Sequence, residues 1–326
     1  MNHTRPALGA ALALALALAL SACSSDDGGS AAKPTAKASG SHTVDTAMGG
    51  VKVKNLPERV VVLNTAGLDS AITLGIRPVG ATGPGAGSGT EQPFPSYLPA
   101  SKTKGITEVG ERNNPDLKKI AALKPDLIIG DKAHDGRRYK QLTAIAPTVL
   151  TGASDAAWKQ NFRVHADALG EKTRARQVAA TYKKHAAAVT KAVGGAGAAA
   201  RTEVNIVRFV AGSDIRILGG RTPAATVLSD VGLGRPAITK QARGGLSYDV
   251  GAERIGRADA DAIFTSTYGN PGLAQVAEAT TSGQWRGIRA VRDSRVYNVN
   301  DELWAQGVGY TAAGQILSEV ESDLGV

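Results

Sequence analysis

KKIAALKPDLII, Lys118 to Ile129, is written a second time as ERIGRADADAIF, Glu253 to Phe264. In each copy a short amphipathic segment carries Ile at the same place, an acidic residue follows (Asp126, Asp261), and a small apolar run closes the motif. That pattern predicts a helix feeding a buried strand, twice. Working outward, the first copy is preceded by the β-branched run RVVVLN, the helical AGLDSAITLG and the strand-like PVGATG, and is followed by RRYKQLTAIA and PTVLTG. Around the second copy stand VNIVRFVAG, IRILGG, PAATVLSDVG and LSYDV before it, and GLAQVAEAT, WRGIRAV and RVYNVN after it. Strands alternating with helices argue for an α/β class with parallel sheets covered on both faces.

Between the copies the pattern changes. Trp158 to Val193 has no proline, a single internal Gly170 and apolar residues at helical spacing. This predicts one or two helices, broken near Gly170, that join two α/β lobes. The expected boundaries are 46–157 for the first lobe, 158–195 for the connecting helix and 196–326 for the second lobe. In such a chain the crevice lies where the carboxyl ends of the strands of both lobes face each other.

The N-terminus reads differently. A single Arg5 precedes ALGAALALALALAL, an apolar run too short to span a bilayer comfortably, which fits the core of a secretory signal over residues 1–22. Leu20-Ser21-Ala22-Cys23 follows directly, and Cys23 is the only cysteine in the chain. A lone thiol in an exported protein forms no internal disulfide. The four residues resemble the lipobox of bacterial lipoproteins, which implies cleavage before Cys23, lipid on its sulfur and attachment to the outer face of the cell membrane. Residues 23–45, rich in Ser, Ala, Gly and Lys, are expected to be a flexible tether.

The formal charge is +9, yet aromatics are only 4% and no Lys/Arg cluster alternates with them, so nucleic acid is a poor partner. No nucleophile elbow, phosphate-binding P-loop, zinc-protease motif or dinucleotide fingerprint is present, which argues against an enzyme. GAGSG, 85–89, is followed by no helix with a capping pattern and is read as a connection. The five histidines are scattered at 3, 42, 134, 165 and 185, so no direct metal site is expected; a bound metal arrives already chelated.

GERNNPDLKKIAALKPDLIIGDK, RRYKQLTAIAPTV, VRFV, ADADAIF, WRGIRAVRDSRVYNVN and Trp304 with GVGYTAAGQIL, taken in order, resemble the iron-siderophore substrate-binding lipoproteins of ABC importers, a group that includes cobalamin- and haem-binding members. The resemblance runs over nearly all of residues 55–322. It implies two Rossmann-like lobes of the class III periplasmic-binding-protein type, a monomer without enzymatic activity or resident cofactor, and a ferric siderophore held in the cleft for delivery to a membrane permease and its ATPase. Cobalamin or haem is the alternative cargo.

The resemblance also places residues. Arg208, in VRFV, stands where an Arg points from the first strand of the second lobe into the cleft; an internal salt bridge is the alternative. Lys132, His134 and Arg137 occupy the first-lobe loop after DLIIG. Trp304 and Tyr268 lie just past second-lobe strands, where aromatics can cover a chelate, while Trp285 is read as core. Glu253 matches a permease-docking Glu of the second lobe; its first-lobe counterpart is Lys118, so either Asp116 or Glu111 substitutes or docking is asymmetric. With Arg208 as the one confident cleft cation, the charge balance leans to a trihydroxamate over a triscatecholate.

Overall fold

Strand and helix alternate as the pattern demands, and each lobe builds its own sheet. The computed structural model describes residues 40–83, 93–153 and 156–325. A hairpin of β1 (Ser41–Thr46) and β2 (Gly49–Lys54) comes first. The first lobe then contributes β3 (Val60–Val62), α1 (Thr65–Thr73), β4 (Gly80–Gly83), β5 (Thr107–Glu111), β6 (Asn114–Pro115), α2 (Leu117–Ala122), β7 (Leu127–Asp131), α3 (Lys132–Asp135) and β8 (Thr148–Thr151). Two connector helices follow, α4 (Trp158–Ala168) and α5 (Lys172–Ala192). The second lobe contains β9 (Val204–Val210), β10 (Ile215–Leu218), α6 (Pro223–Val231), β11 (Ser247–Val250), β12 (Ala262–Tyr268), β13 (Val296–Asn298), α7 (Asp301–Trp304) and α8 (Tyr310–Asp323).

The first sheet has the order β6-β5-β4-β3-β7-β8, parallel except for β6, and the second the order β11-β10-β9-β12-β13. In the second sheet β9, β12 and β13 run parallel, but β10 is antiparallel to both neighbours, so the expected all-parallel sheet is mixed there. The cause is local: only Ala211 to Asp214 separate β9 from β10, enough for a hairpin and too few for a crossover.

The repeated motif has one job in both lobes. Ile120 and Ile255 are fully buried beneath β7 and β12. The Asp126 carboxylate accepts from the backbone amides of Glu58 and Arg59 at 3.1 and 2.8 Å, fixing the chain as it enters β3. Asp261 does the same for β9, accepting from the Glu203 amide at 2.8 Å. The two carboxylates pin equivalent strand entries. One element differs: the expected helix GAERIGRA is a 3₁₀ segment, Ala252–Ala258, with Arg254 outside helical geometry.

The connector breaks at Gly170, where φ is +73° and a Cβ would stand 2.1 Å from the Asn55 carbonyl oxygen, so only glycine fits. The β1–β2 hairpin lies against this corner, and the tether expected to run to residue 45 ends earlier, because Ser41–Thr46 is already paired strand. His42, expected in that tether, instead bonds Asn55 and Asp167. Cys23, the signal segment and GAGSG lie outside the described residues.

Helices α5 and α8 tie the lobes together. Helix α8 packs on α1, α5 and α6, and the buried carboxylate of Asp69 on α1 accepts from the Thr311 and Ala312 amides, 3.1 Å each, at the start of α8. The first-lobe carboxylate therefore caps a helix that belongs to the second lobe in the chain. Residues 37–326 form one compact unit, and its largest hydrophobic cluster draws on both lobes and both connector helices. Among the described residues no helix is long and apolar enough to cross a membrane.

Candidate functional site

The carboxyl ends of β4, β5 and β7 face the second lobe across a cleft of about 460 Å³, lined by Thr65, Thr82, Arg112 and His134 from the first lobe and by Pro223, Leu246, Gln306 and Val308, all from connecting segments and helix starts, from the second. Its first-lobe wall is built at the end of β7. Asp131 is 1% exposed and caps α3, accepting from the His134 amide at 3.0 Å. Its Oδ1 also accepts from His134 Nδ1 at 2.7 Å, since an ionised carboxylate can only accept, and this sets the ring's proton toward Asp131. Asn64 Nδ2 donates to the other oxygen at 3.2 Å, and Arg112 Nη2 lies 3.5 Å from it. Burial opposes ionisation of Asp131, but the His134 contacts and the Arg112 charge outweigh it and hold the carboxyl below its usual range.

Arg112 follows β5 directly, at the carboxyl end of that strand, and was missed in the sequence reading. The available signal was its position, since the cleft edge of an α/β sheet is formed by residues just past strand ends. Its Nε and the Thr82 hydroxyl are buried and have no hydrogen-bond partner among the described residues. Both border the cleft. Unspent donors in a binding wall favour a ligand rich in oxygen acceptors.

On the second-lobe side, Arg208 donates from Nε and Nη2 to the two oxygens of Asp301 at 2.7 and 2.6 Å. Ser266 Oγ and Gln306 Nε2 donate to the same carboxylate at 2.9 and 3.0 Å. Four donors thus anchor the first residue of α7, and the segment that follows it presents Ala305, Gln306 and Val308 to the cleft. The Arg208 guanidinium also lies over the Tyr268 ring, 4.9 Å from its centroid. The internal salt bridge, the alternative reading of Arg208, is present. Arg216 stands directly opposite Arg208 on β10.

Other expected residues fall elsewhere. Trp304 is corrected: it is 1% exposed, stacks on Phe264 at 4.3 Å between centroids, and donates to Glu319, so its ring fills the core instead of covering a ligand. Short helix α7 turns the ring inward. Lys132 and Arg137 are exposed and do not line the cleft, whereas His134 does, because the expected loop is helical and sends its side chains in different directions. Trp285 is core, as expected. Asp116 caps α2, accepting from the Lys118 and Lys119 amides, and stays half-buried; Glu253 is exposed and pairs with Arg254 at 3.1 Å. Among the described residues no group of three or more His, Cys, Asp or Glu converges as a metal site.

Comparison with known proteins is consistent with this architecture. A family model described as periplasmic binding protein matches residues 60–303. The chain is 30% identical over 312 residues to the probable siderophore-binding lipoprotein YfiY of Bacillus subtilis, covering 93% of each. It is 29% identical to the Fe(3+)-citrate-binding protein YfmC of the same organism, over 83% of this chain and 84% of that one. Among solved structures it is similar to Staphylococcus aureus SirA complexed with staphyloferrin B, with a TM-score of 0.76 and 28% identity over 87% of this chain and 98% of that one.

Proposed function

The chain belongs to the periplasmic binding protein family, and from that membership and the cleft we propose that it binds a ferric siderophore outside the cell and delivers it to an ABC importer. It is a binding protein and not an enzyme. The observation that carries the reading is the wall of Arg112, His134 and Thr82 facing Leu246 and Gln306. Chelated iron presents hard ligand oxygens for the unspent donors and an organic shell for Leu246, which is 46% exposed. The volume lies within the usual range for small-molecule sites, about 300–1,000 Å³.

Two internal Arg–Asp pairs, Arg112–Asp131 and Arg208–Asp301, neutralise much of the cationic charge around the cleft. That supports a complex of low net charge and keeps the trihydroxamate lean, with Arg112 as the contact cation and His134 beside it, while Arg208 and Tyr268, which do not line the cleft, brace the opposite wall through Asp301. Lys132 and Arg137 act only at long range. Glu253 and Asp116 are the proposed permease-docking acids, Cys23 the lipidated residue, and the protein a monomer.

Titration of the soluble unit with iron-loaded and iron-free forms of a trihydroxamate, a triscatecholate and citrate, with cobalamin and haem as controls, tests this. Saturable binding of one iron-loaded siderophore, weakened roughly 10- to 100-fold in Arg112→Ala, is expected. Binding of cobalamin or haem alone would overturn it.

A further inference from the structure

Helix α5 carries six basic side chains, Lys172, Arg174, Arg176, Lys183, Lys184 and Lys191, all exposed, and no acidic one. Two ion or hydrogen-bond contacts hold its start: Lys172 pairs with Asp167 at 2.8 Å, and Arg174 Nε donates to the Thr73 carbonyl at 3.4 Å. Arg176, Lys183, Lys184 and Lys191 make no ion pair among the described residues. A helix of this length with charge of one sign on its outer side is a ready electrostatic surface.

Its place in the fold gives the charge a direction. Helices α1 and α6 both begin at the cleft, with Thr65 and Pro223, and both end against α5. At the far end of α1 the Thr73 carbonyl meets Arg174; at the far end of α6 the Val231 carbonyl accepts from Thr190 at 2.7 Å and Asp230 from the Tyr182 hydroxyl at 2.6 Å. Each is a nine-residue helix, so α5 lies about 13 Å behind the cleft. No cleft-lining residue belongs to it.

The chain also enters the folded body here. Asp167 is shared by Lys172, the first residue of α5, and by His42 of β1, at 2.8 and 3.0 Å. Residues 24–40 number seventeen, so a lipid on Cys23 stays within about 65 Å of Ser41, where β1 joins the body.

We propose that the basic face of α5 is a membrane-resting surface, seated on the anionic headgroups of the bilayer to which the chain is tethered, with the cleft turned outward to receive ligand. This rests on the lipidation reading for its biological setting but not for the physical contact. Charge complementarity supplies the attraction, and the tether supplies a high local concentration. Docking to a permease then requires release from this resting pose, which weak, salt-screened contacts permit.

The test uses residues 37–326, without Cys23. Co-sedimentation is measured with vesicles of phosphatidylcholine containing phosphatidylglycerol and with phosphatidylcholine alone, at about 0.05 M and about 0.5 M salt. The expected result is binding to the anionic vesicles only, lost at high salt, and weakened about 100-fold or more by Arg176→Glu, Lys183→Glu, Lys184→Glu and Lys191→Glu together. Reversing Lys102, Lys104, Lys118 and Lys119 instead should weaken it far less, and siderophore titration should be unchanged in both variants. Absence of binding to anionic vesicles, or equal loss in the two variants, overturns the proposal. Absence of ligand binding with vesicle binding intact would instead strike the proposed function, and an unlipidated Cys23 in the full chain would remove only the tether.

Discussion

Arg208 and Asp301, 93 residues apart, are joined by two parallel hydrogen bonds of 2.7 and 2.6 Å, with side chains 15% and 9% exposed. The pair joins β9 to the first turn of α7, and so sets the position of the Ala305–Val308 segment in the cleft. Breaking either member leaves its partner partly buried and unpaired, which costs about 2–4 kcal/mol. Arg208→Ala and Asp301→Asn should each lower stability by that order, and the double variant by clearly less than their sum. If Arg208 acts as a strut, both single variants weaken siderophore binding alike. Loss of binding in Arg208→Ala with binding retained or tightened in Asp301→Asn would show instead that the guanidinium meets the ligand.

Arg112→Ala should separate binding from folding. Charge-assisted hydrogen bonds contribute about 1.5–3 kcal/mol, so affinity should fall roughly 10- to 100-fold. The side chain is 38% exposed, and a melting-temperature change of only a few degrees is expected.

Trp304→Ala should do the reverse. Removing a fully buried indole stacked on Phe264 costs about 3–5 kcal/mol in denaturant unfolding. Trp304→Phe, which retains most of the packing, should bind siderophore with nearly unchanged affinity.

Burial raises the Asp69 carboxyl from 3.8 to about 7, against the lowering effect of the Thr311 and Ala312 amides. Its folded value lies above its unfolded one, so its contribution to stability is full below about pH 4 and is lost as pH rises through about 7. The stability of the native chain relative to Asp69→Asn should therefore decline between pH 4 and pH 7, by a few kcal/mol. Parallel thermal melts across this range check the sign; a flat difference would remove the buried carboxyl as its source.

Asp126→Ala and Asp261→Ala should each cost about 1–3 kcal/mol by orphaning backbone amides at a strand entry. Because they sit in different lobes and share no partner, their effects should add within about 0.5 kcal/mol.

The repeat was legible because it is local: Ile120 and Ile255, with the acids six residues later, encode helix, turn and strand within twelve residues. Gly170 was legible for the same reason, a single residue that alone tolerates its backbone angle. The site was harder. Arg208 was placed on its strand by pattern, yet its partner lies 93 residues on and no periodicity announces it. Arg112 sits in a turn without apolar rhythm, and Trp304 was misplaced because four residues of helix decide which way an indole faces. His134 lines the cleft while Lys132 and Arg137 beside it do not, since a run of neighbouring cations says nothing about which one a short helix turns inward.

The cap that Asp69 places on α8 makes the two lobes mechanically doubled, joined once by the connector and once by a helix whose first turn is owned by the opposite lobe. A doubled joint resists swinging and leaves twist as the soft coordinate. Loading is then close to a lock already cut, with association set by diffusion and desolvation more than by lobe closure. On the proposed function, a permease meeting such a protein would have little change of outline to read and would tell full from empty by the chelate at the cleft mouth.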